Sequence, residues 1–192
     1  TADYNGDDSF TYTVSDGTAT ATGTVSVTVT SVNDAPTASA GSIATTEDTA
    51  GTLDLSTLSS DVDGDTLTFT VTDPSNGTVT LADGVVTYTP TADYNGDDSF
   101  TYTVSDGTET ATGTVSVTVT AVNDAPTAAA GSITTNEDIA GSLDLTILSS
   151  DVDKDTLTYT VTDPTNGTVG LSEDGIVTFV TYTPNDNFFG SD

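Results

Sequence analysis

The chain has 192 residues, and thirty acidic residues face a single basic one, Lys154, for a formal charge of −29. So little positive charge excludes nucleic acid, whose phosphates nothing here would neutralise, and argues against an anionic membrane surface. His, Cys and Arg are absent, which removes imidazole and thiol catalysis, disulfide staples and thiolate metal sites, and leaves a cation as the natural partner of a self-repelling chain.

The apolar third of the residues falls in alternating runs, so the sequence reads as folded and not as an acidic solvating tail. No stretch approaches the roughly 20 apolar residues of a membrane span. Residues 1–36 and 91–126 are the same segment written twice, differing only at Ala19 against Glu109 and Ser31 against Ala121, which gives a period of 90 residues. That period suits a small domain on a string and is too long for a solenoid turn or a propeller blade.

In chain order, residues 1–32 read as the last two strands of a partial sandwich. Residues 33–122 form the complete repeat. Its strands are expected at an edge near Ala38–Thr45, then at Thr52–Leu55, Thr66–Thr72, Thr78–Leu81, Val85–Thr89, Ser99–Ser105 and Ala111–Val122. Short strands without a helical period predict an all-β chain of tandem Greek-key β-sandwiches. Alternation assigns Leu67, Phe69 and Val71, then Phe100, Tyr102 and Val104, then Val115, Val117 and Val119 to the buried faces, with Thr opposite. Asp73-Pro74-Ser75-Asn76-Gly77, Ala82-Asp83-Gly84 and Asp106-Gly107-Thr108 are expected hairpin turns, the Asn-Gly and Asp-Gly pairs supplying positive φ. Tyr94, before the Phe100 strand, takes the place of the structural tyrosine at a Greek-key corner.

Residues 123–192 read as the earlier strands of a third, incomplete sandwich. The strands expected after Asp192 are those present from Asp7 to Thr30. The phase implies a window from a longer array, or a unit whose open sandwich is completed by the head of the next chain. Phe188-Phe189 would be core in the first case and an exposed interaction site in the second.

Carboxylates gather at Asp61-Val62-Asp63-Gly64-Asp65 and at Asp151-Val152-Asp153-Lys154-Asp155, at every second position just before a strand. A hard cation such as calcium takes roughly 6–8 oxygen ligands, so several acidic groups must converge from different segments. An EF-hand does not fit: the sixth position from Asp61 is Thr66, the twelfth is Thr72, and strands flank the motif. Asp73, Asp83 and Asp163 read as ordinary turn caps.

Val-Asn-Asp-Ala-Pro at 32–36 and 122–126 resembles the linker of cadherins, and Glu47 and Glu137, the Asp-Val-Asp pairs and the turns at Asp16 and Asp106 follow in the cadherin order. The whole chain resembles the cadherin-like, Ig-like tandem repeats of giant bacterial surface adhesins of the RTX, type I-secreted kind. The resemblance implies Ca2+ at the linkers. At the first linker it draws on Asn33, Asp34, Asp61, Asp63 and Asp106. At the second it draws on Glu47, Asn123, Asp124, Asp151 and Asp153, with Glu137 the matching Glu of the third copy. Asp93, Asp97 or Asp98 stands for a further acidic motif of that family, and the sequence does not choose among them. Lys154, where the previous copy has Gly64, either weakens its site or points to solvent.

The resulting expectation is a non-enzymatic extender of an extracellular bacterial cell-surface protein, an adhesin or biofilm component stiffened by calcium, whose partners are neighbouring repeats. The alternatives are a self-assembling surface filament built by strand exchange between identical chains, and a calcium-dependent carbohydrate-binding module. A carboxylate pair for glycoside hydrolysis is disfavoured because the acids recur in the loops of every copy. Isopeptide staples need a Lys that the full repeat lacks.

Overall fold

The computed structural model describes residues 3–173 and 177–191. It divides into two compact units, Thr1–Ala121 and Val122–Asp192. Among the described residues the only helical element is one 3-10 turn, Leu55–Leu58, and no helix is long and apolar enough to cross a membrane.

The first unit begins with a hairpin, β1 (Gly6–Ser15) and β2 (Thr20–Val29), which among the described residues pair only with each other. The complete repeat follows. Its β3 (Thr37–Ala38), β4 (Gly41–Thr46), β5 (Gly51–Asp54), β6 (Ser59–Ser60), β7 (Thr68–Val71), β8 (Gly77–Ala82), β9 (Val85–Pro90), β10 (Gly96–Ser105) and β11 (Thr110–Thr120) build a sandwich. One layer has the order β4-β11-β10-β7 and the other β5-β9-β8, with β3 and β6 as a short pair beside them. The expected edge strand is broken in two: β3 pairs antiparallel with β6, whereas β4 pairs parallel with β11. Changing sheets lets one segment close both layers.

Between the layers lies the core. Val86 and Tyr88 from β9 and Phe100, Tyr102, Val115, Val117 and Val119 from β10 and β11 pack with Ile43 and Leu55. The alternation of β11, with Val inward and Thr or Ser outward, sets its buried face as the sequence predicts. Burying each such side chain stabilises by roughly 1.5–3 kcal/mol. Gly113 has a packing reason, since an added Cβ would collide with the Tyr102 ring and lie 2.8 Å from the Ser39 carbonyl oxygen. The Tyr102 hydroxyl donates to that same carbonyl at 2.7 Å.

The Asp83-Gly84 turn is as expected, with φ of 50° and 80°. Asp73–Gly77 is not a hairpin: it carries the chain from β7 in one sheet to β8 in the other, and neither Asn76 nor Gly77 takes positive φ. Gly77 is required by space, because a Cβ there would lie 2.6 Å from the Thr89 carbonyl oxygen and 2.7 Å from the Tyr88 ring. Tyr94 donates forward to the Asp97 carbonyl at 2.6 Å, so its role is to close the entry to β10.

The second unit contains β12 (Thr127–Ala128), β13 (Gly141–Asp144), β14 (Ser149–Ser150), β15 (Gly167–Glu173) and β16 (Thr178–Pro184). β12 pairs with β14, and a three-stranded sheet runs β13-β16-β15. These repeat β3, β6 and the β5-β9-β8 layer. Segments 131–136 and 158–161, which align with β4 and β7, are not strands. The period also shifts: Pro90 matches Pro184 and Gly96 matches Gly190, so the third copy has four extra residues between Gly167 and Pro184, one of them in each of β15 and β16. The displaced register still buries Val180 opposite Leu171, as Val86 faces Leu81.

Candidate metal centre

Three segments that are distant in sequence meet in the first unit: the linker Asn33-Asp34, the loop 61–65 before β7, and the β10–β11 turn. Asn33 Nδ2 donates to Asp106 Oδ2 at 2.9 Å, and the Asp34 amide donates to Asp63 Oδ2 at 2.8 Å. Asp106 also caps its own turn, with Oδ1 accepting the Thr108 and Glu109 amides at 2.6 Å each. Hydrogen bonds from Asn33, Glu109 and Thr108 hold the Asp106 carboxyl below its ordinary pKa.

The loop is shaped by Asp61. Its Oδ1 accepts the amides of Asp63, Gly64 and Asp65 at 2.8, 3.1 and 3.4 Å, and Gly64 sits at φ 79° to allow the tight curl. Carboxylate oxygens of Asp61, Asp63 and Asp65 all lie within 4.8 Å of one another. Asp61 Oδ2 is buried without a hydrogen-bond partner. A buried unpaired carboxylate oxygen is costly, and the one basic side chain of the chain, Lys154, belongs to the second unit. Of the residues chosen from the sequence, Asp61 and Asp63 bring their carboxylates together, Asp34 joins Asp63 through its backbone amide, and Asn33 links the Asp106 carboxylate to the linker. Asp65 completes the trio, and its signal was the same every-second-residue spacing. A cleft of about 220 Å³ adjoins the site, lined by Asp3, Tyr4, Val32, Asp34 and Asp63 among others.

Glu47 is buried, at 3% exposure; its amide donates to the Thr120 carbonyl and its Oε2 accepts Asn95 Nδ2 at 3.3 Å. In the second unit the Asp124 amide donates to Asp153 Oδ2 at 2.7 Å, repeating the Asp34 to Asp63 bond. Asn123 Nδ2 turns to the Asp124 carbonyl at 2.8 Å, and Asp151 Oδ1 accepts the Asp155 amide at 3.3 Å. Glu137 is exposed. Lys154 is exposed and takes the left-handed conformation of Gly64, at φ 64°.

Among the three acids left open, Asp98 has a structural task. Its carboxylate accepts the Asn76 amide at 2.8 Å, the Ser99 amide at 2.8 Å, the Tyr88 hydroxyl at 3.0 Å and the Ser75 amide at 3.2 Å. Burial opposes its charge, but these donors prevail and hold its pKa below the ordinary value. Burial, followed by this anion, pushes the Tyr88 phenol well up. Asp97 Oδ1 accepts Thr118 Oγ1 at 3.3 Å, and the Asp93 amide donates to Asp48 at 3.3 Å. Nothing local in the sequence marks the clasp between Asp98 and Tyr88.

The family model described as Bacterial Ig domain matches residues 1–28, 33–118 and 123–192. No curated protein matches the chain. Among solved structures it is similar to an endo-fucoidan hydrolase from glycoside hydrolase family 107, at 20% identity and TM-score 0.40, over 96% of this chain and 30% of that one. It is also similar to an I-band fragment of titin, at 11% identity and TM-score 0.33, over 94% of this chain and 65% of that one. Invasin, a bacterial integrin-binding protein, matches at 16% identity and TM-score 0.23, over 94% of this chain and 40% of that one. The chain spans less than a third of the fucoidan hydrolase, and none of these similarities bears on activity. The family match covers nearly the whole sequence in three blocks, the second and third beginning at the Asn-Asp pairs that open the second and third copies, and the chain belongs to the bacterial Ig domain family, as an all-β protein of Ig-like sandwich repeats.

Proposed function

We propose that this chain is a non-enzymatic extender from an extracellular bacterial surface protein of the adhesin type, stiffened by calcium at its linkers. The observation that carries the reading is Asp61 Oδ2, buried without a hydrogen-bond partner beside two further carboxylates in a unit that has no basic side chain. Oxygen donors from acidic and amide side chains are what a hard cation selects. Asn33, Asp34, Asp61, Asp63, Asp65 and Asp106 would hold it in the first unit, with Asp3 near enough to the cleft to join them. Asn123, Asp124, Asp151 and Asp153 are the matching set of the second unit. Calcium there would neutralise carboxylates that otherwise repel, and so fix the linker that follows β2. The membership in a bacterial Ig domain family supports a repeat that makes length, and the absence of His, Cys and Arg from the sequence leaves few groups for catalysis.

Calorimetric titration of calcium into the chelator-treated chain, with thermal melts and small-angle scattering in parallel, tests this. Binding that is lost in Asp61→Asn, together with a lower melting temperature and a more flexible chain in chelator, is expected. Scattering and melts indifferent to chelator would sink the reading.

A further inference from the structure

The two acidic loops follow one pattern and differ at one position. Residues 61–65 read Asp-Val-Asp-Gly-Asp and residues 151–155 read Asp-Val-Asp-Lys-Asp, so the sole basic side chain of the sequence stands inside an acidic loop. Both fourth positions take left-handed φ, 79° at Gly64 and 64° at Lys154. The lysine therefore occupies a backbone conformation that favours glycine.

The carboxylates of the two loops are arranged differently. Asp61 Oδ1 gathers the amides of Asp63, Gly64 and Asp65, whereas among the described residues Asp151 Oδ1 accepts only that of Asp155, at 3.3 Å. The Lys154 amide turns instead to the Asp151 carbonyl, at 3.4 Å. Oxygens of Asp61, Asp63 and Asp65 lie within 4.8 Å of one another, and among the described residues Asp151, Asp153 and Asp155 form no such trio. Asp61 Oδ2 is buried without a hydrogen-bond partner, and Asp151 leaves no such oxygen among the described residues. A buried carboxylate oxygen is costly unless a donor or a cation meets it. The first loop thus suits a cation from outside the chain, while the second carries a cation of its own.

We propose that Lys154 sets the affinity of the second loop, making it the weaker of two calcium sites, so that the loops fill in order as calcium rises. The inference rests on the calcium reading above and adds the order of loading to it. A lysine ammonium is a compact point charge on a flexible four-carbon stem, free to follow the carboxylates of its own loop. It offsets part of the charge that draws the metal, and it repels the metal itself. At about 7 Å, one such charge opposing a divalent ion in a solvated loop lowers affinity roughly tenfold. The effect is electrostatic, so it fades as salt shortens the screening length from about 10 Å at 0.1 M to about 3 Å at 1 M. A backbone effect of the same residue would persist.

Calcium titrated into the chelator-treated full chain by calorimetry tests the order. Two phases are expected, the tighter lost in Asp61→Asn and the weaker in Asp151→Asn. Lys154→Gln keeps a long side chain and removes the charge, so it should tighten the weaker phase about tenfold at low salt and by little near 1 M. The reverse transfer, Gly64→Lys, should weaken the tighter phase about tenfold, and Gly64→Gln should weaken it less, with Asn33, Asp34 and Asp106 unchanged in both. One affinity for both loops, or Lys and Gln variants that bind alike at either position, overturns the proposal and leaves calcium binding in place. An unaltered chain that binds no calcium overturns the calcium reading and this one with it.

Discussion

Two hairpins with almost the same sequence, Gly6–Val29 and Gly96–Val119, have opposite fates in this molecule. The register and the tyrosine latch from Tyr4 to Asp7 or Tyr94 to Asp97 are shared, as are the Asp16 and Asp106 caps. Only the second copy has a layer across from it, and only there are the aromatic and Val side chains buried. Local structure follows from the segment, while stability depends on what covers it; an isolated two-stranded hairpin is marginal in water.

The comparison breaks most sharply at its aromatic pair. Tyr102→Ala should destabilise the complete repeat by about 3–5 kcal/mol in urea unfolding. Tyr12→Ala should change it by less than about 0.5 kcal/mol. Equal effects would mean that the hairpin is already covered. Next comes metal: calcium at a hundred times its dissociation constant should stabilise the first unit by about 2.7 kcal/mol. Asp61→Asn should abolish that gain in thermal melts.

Asp98→Asn should cost about 1–3 kcal/mol, because the Asn76 and Ser75 amides and the buried Tyr88 hydroxyl lose a charged acceptor. The matching change at Asp8, which bonds only the adjacent Ser9 amide among the hydrogen bonds found here, should be near neutral. The pH dependence has a definite sign. Asp98 and Asp106 have folded pKa values below that of an ordinary carboxylate, so the unfolded chain binds protons first as acid is added. Their contribution is complete above about pH 4 and drains as pH falls through the lower folded values. The difference between wild type and Asp98→Asn in melts should shrink over that range. The smallest effect compares the two loops: Lys154→Gly should raise stability by about 1 kcal/mol in the second unit by relieving a left-handed non-glycine residue, and leave the first unift's melting unchanged.

Much of the sandwich was legible in the sequence. The alternation from Val115 to Val119 and from Phe100 to Val104 marks both the strands and the sides they bury. The broken edge strand was not, because which sheet Thr37–Ala38 and Gly41–Thr46 join depends on partners far along the chain. Gly77 illustrates the same limit: Asn-Gly reads as a turn, yet its lack of a side chain serves the Tyr88 ring and the Thr89 carbonyl. In the candidate centre, the Asp61 and Asp63 pair announces itself by spacing. Asp65 shares that spacing but gains weight only from the convergence of its oxygens with theirs.

By itself, then, the sequence determined the all-β character, the repeat, the inward faces of its strands and the excess of negative charge, because each follows from short-range periodicity or from composition. Tertiary structure alone decided that Asn33 meets Asp106 across 73 positions, that Asp98 clasps Tyr88, and that an oxygen of Asp61 is buried unpaired. Those outcomes depend on which strands become neighbours, and neighbours are chosen by packing across the whole sandwich.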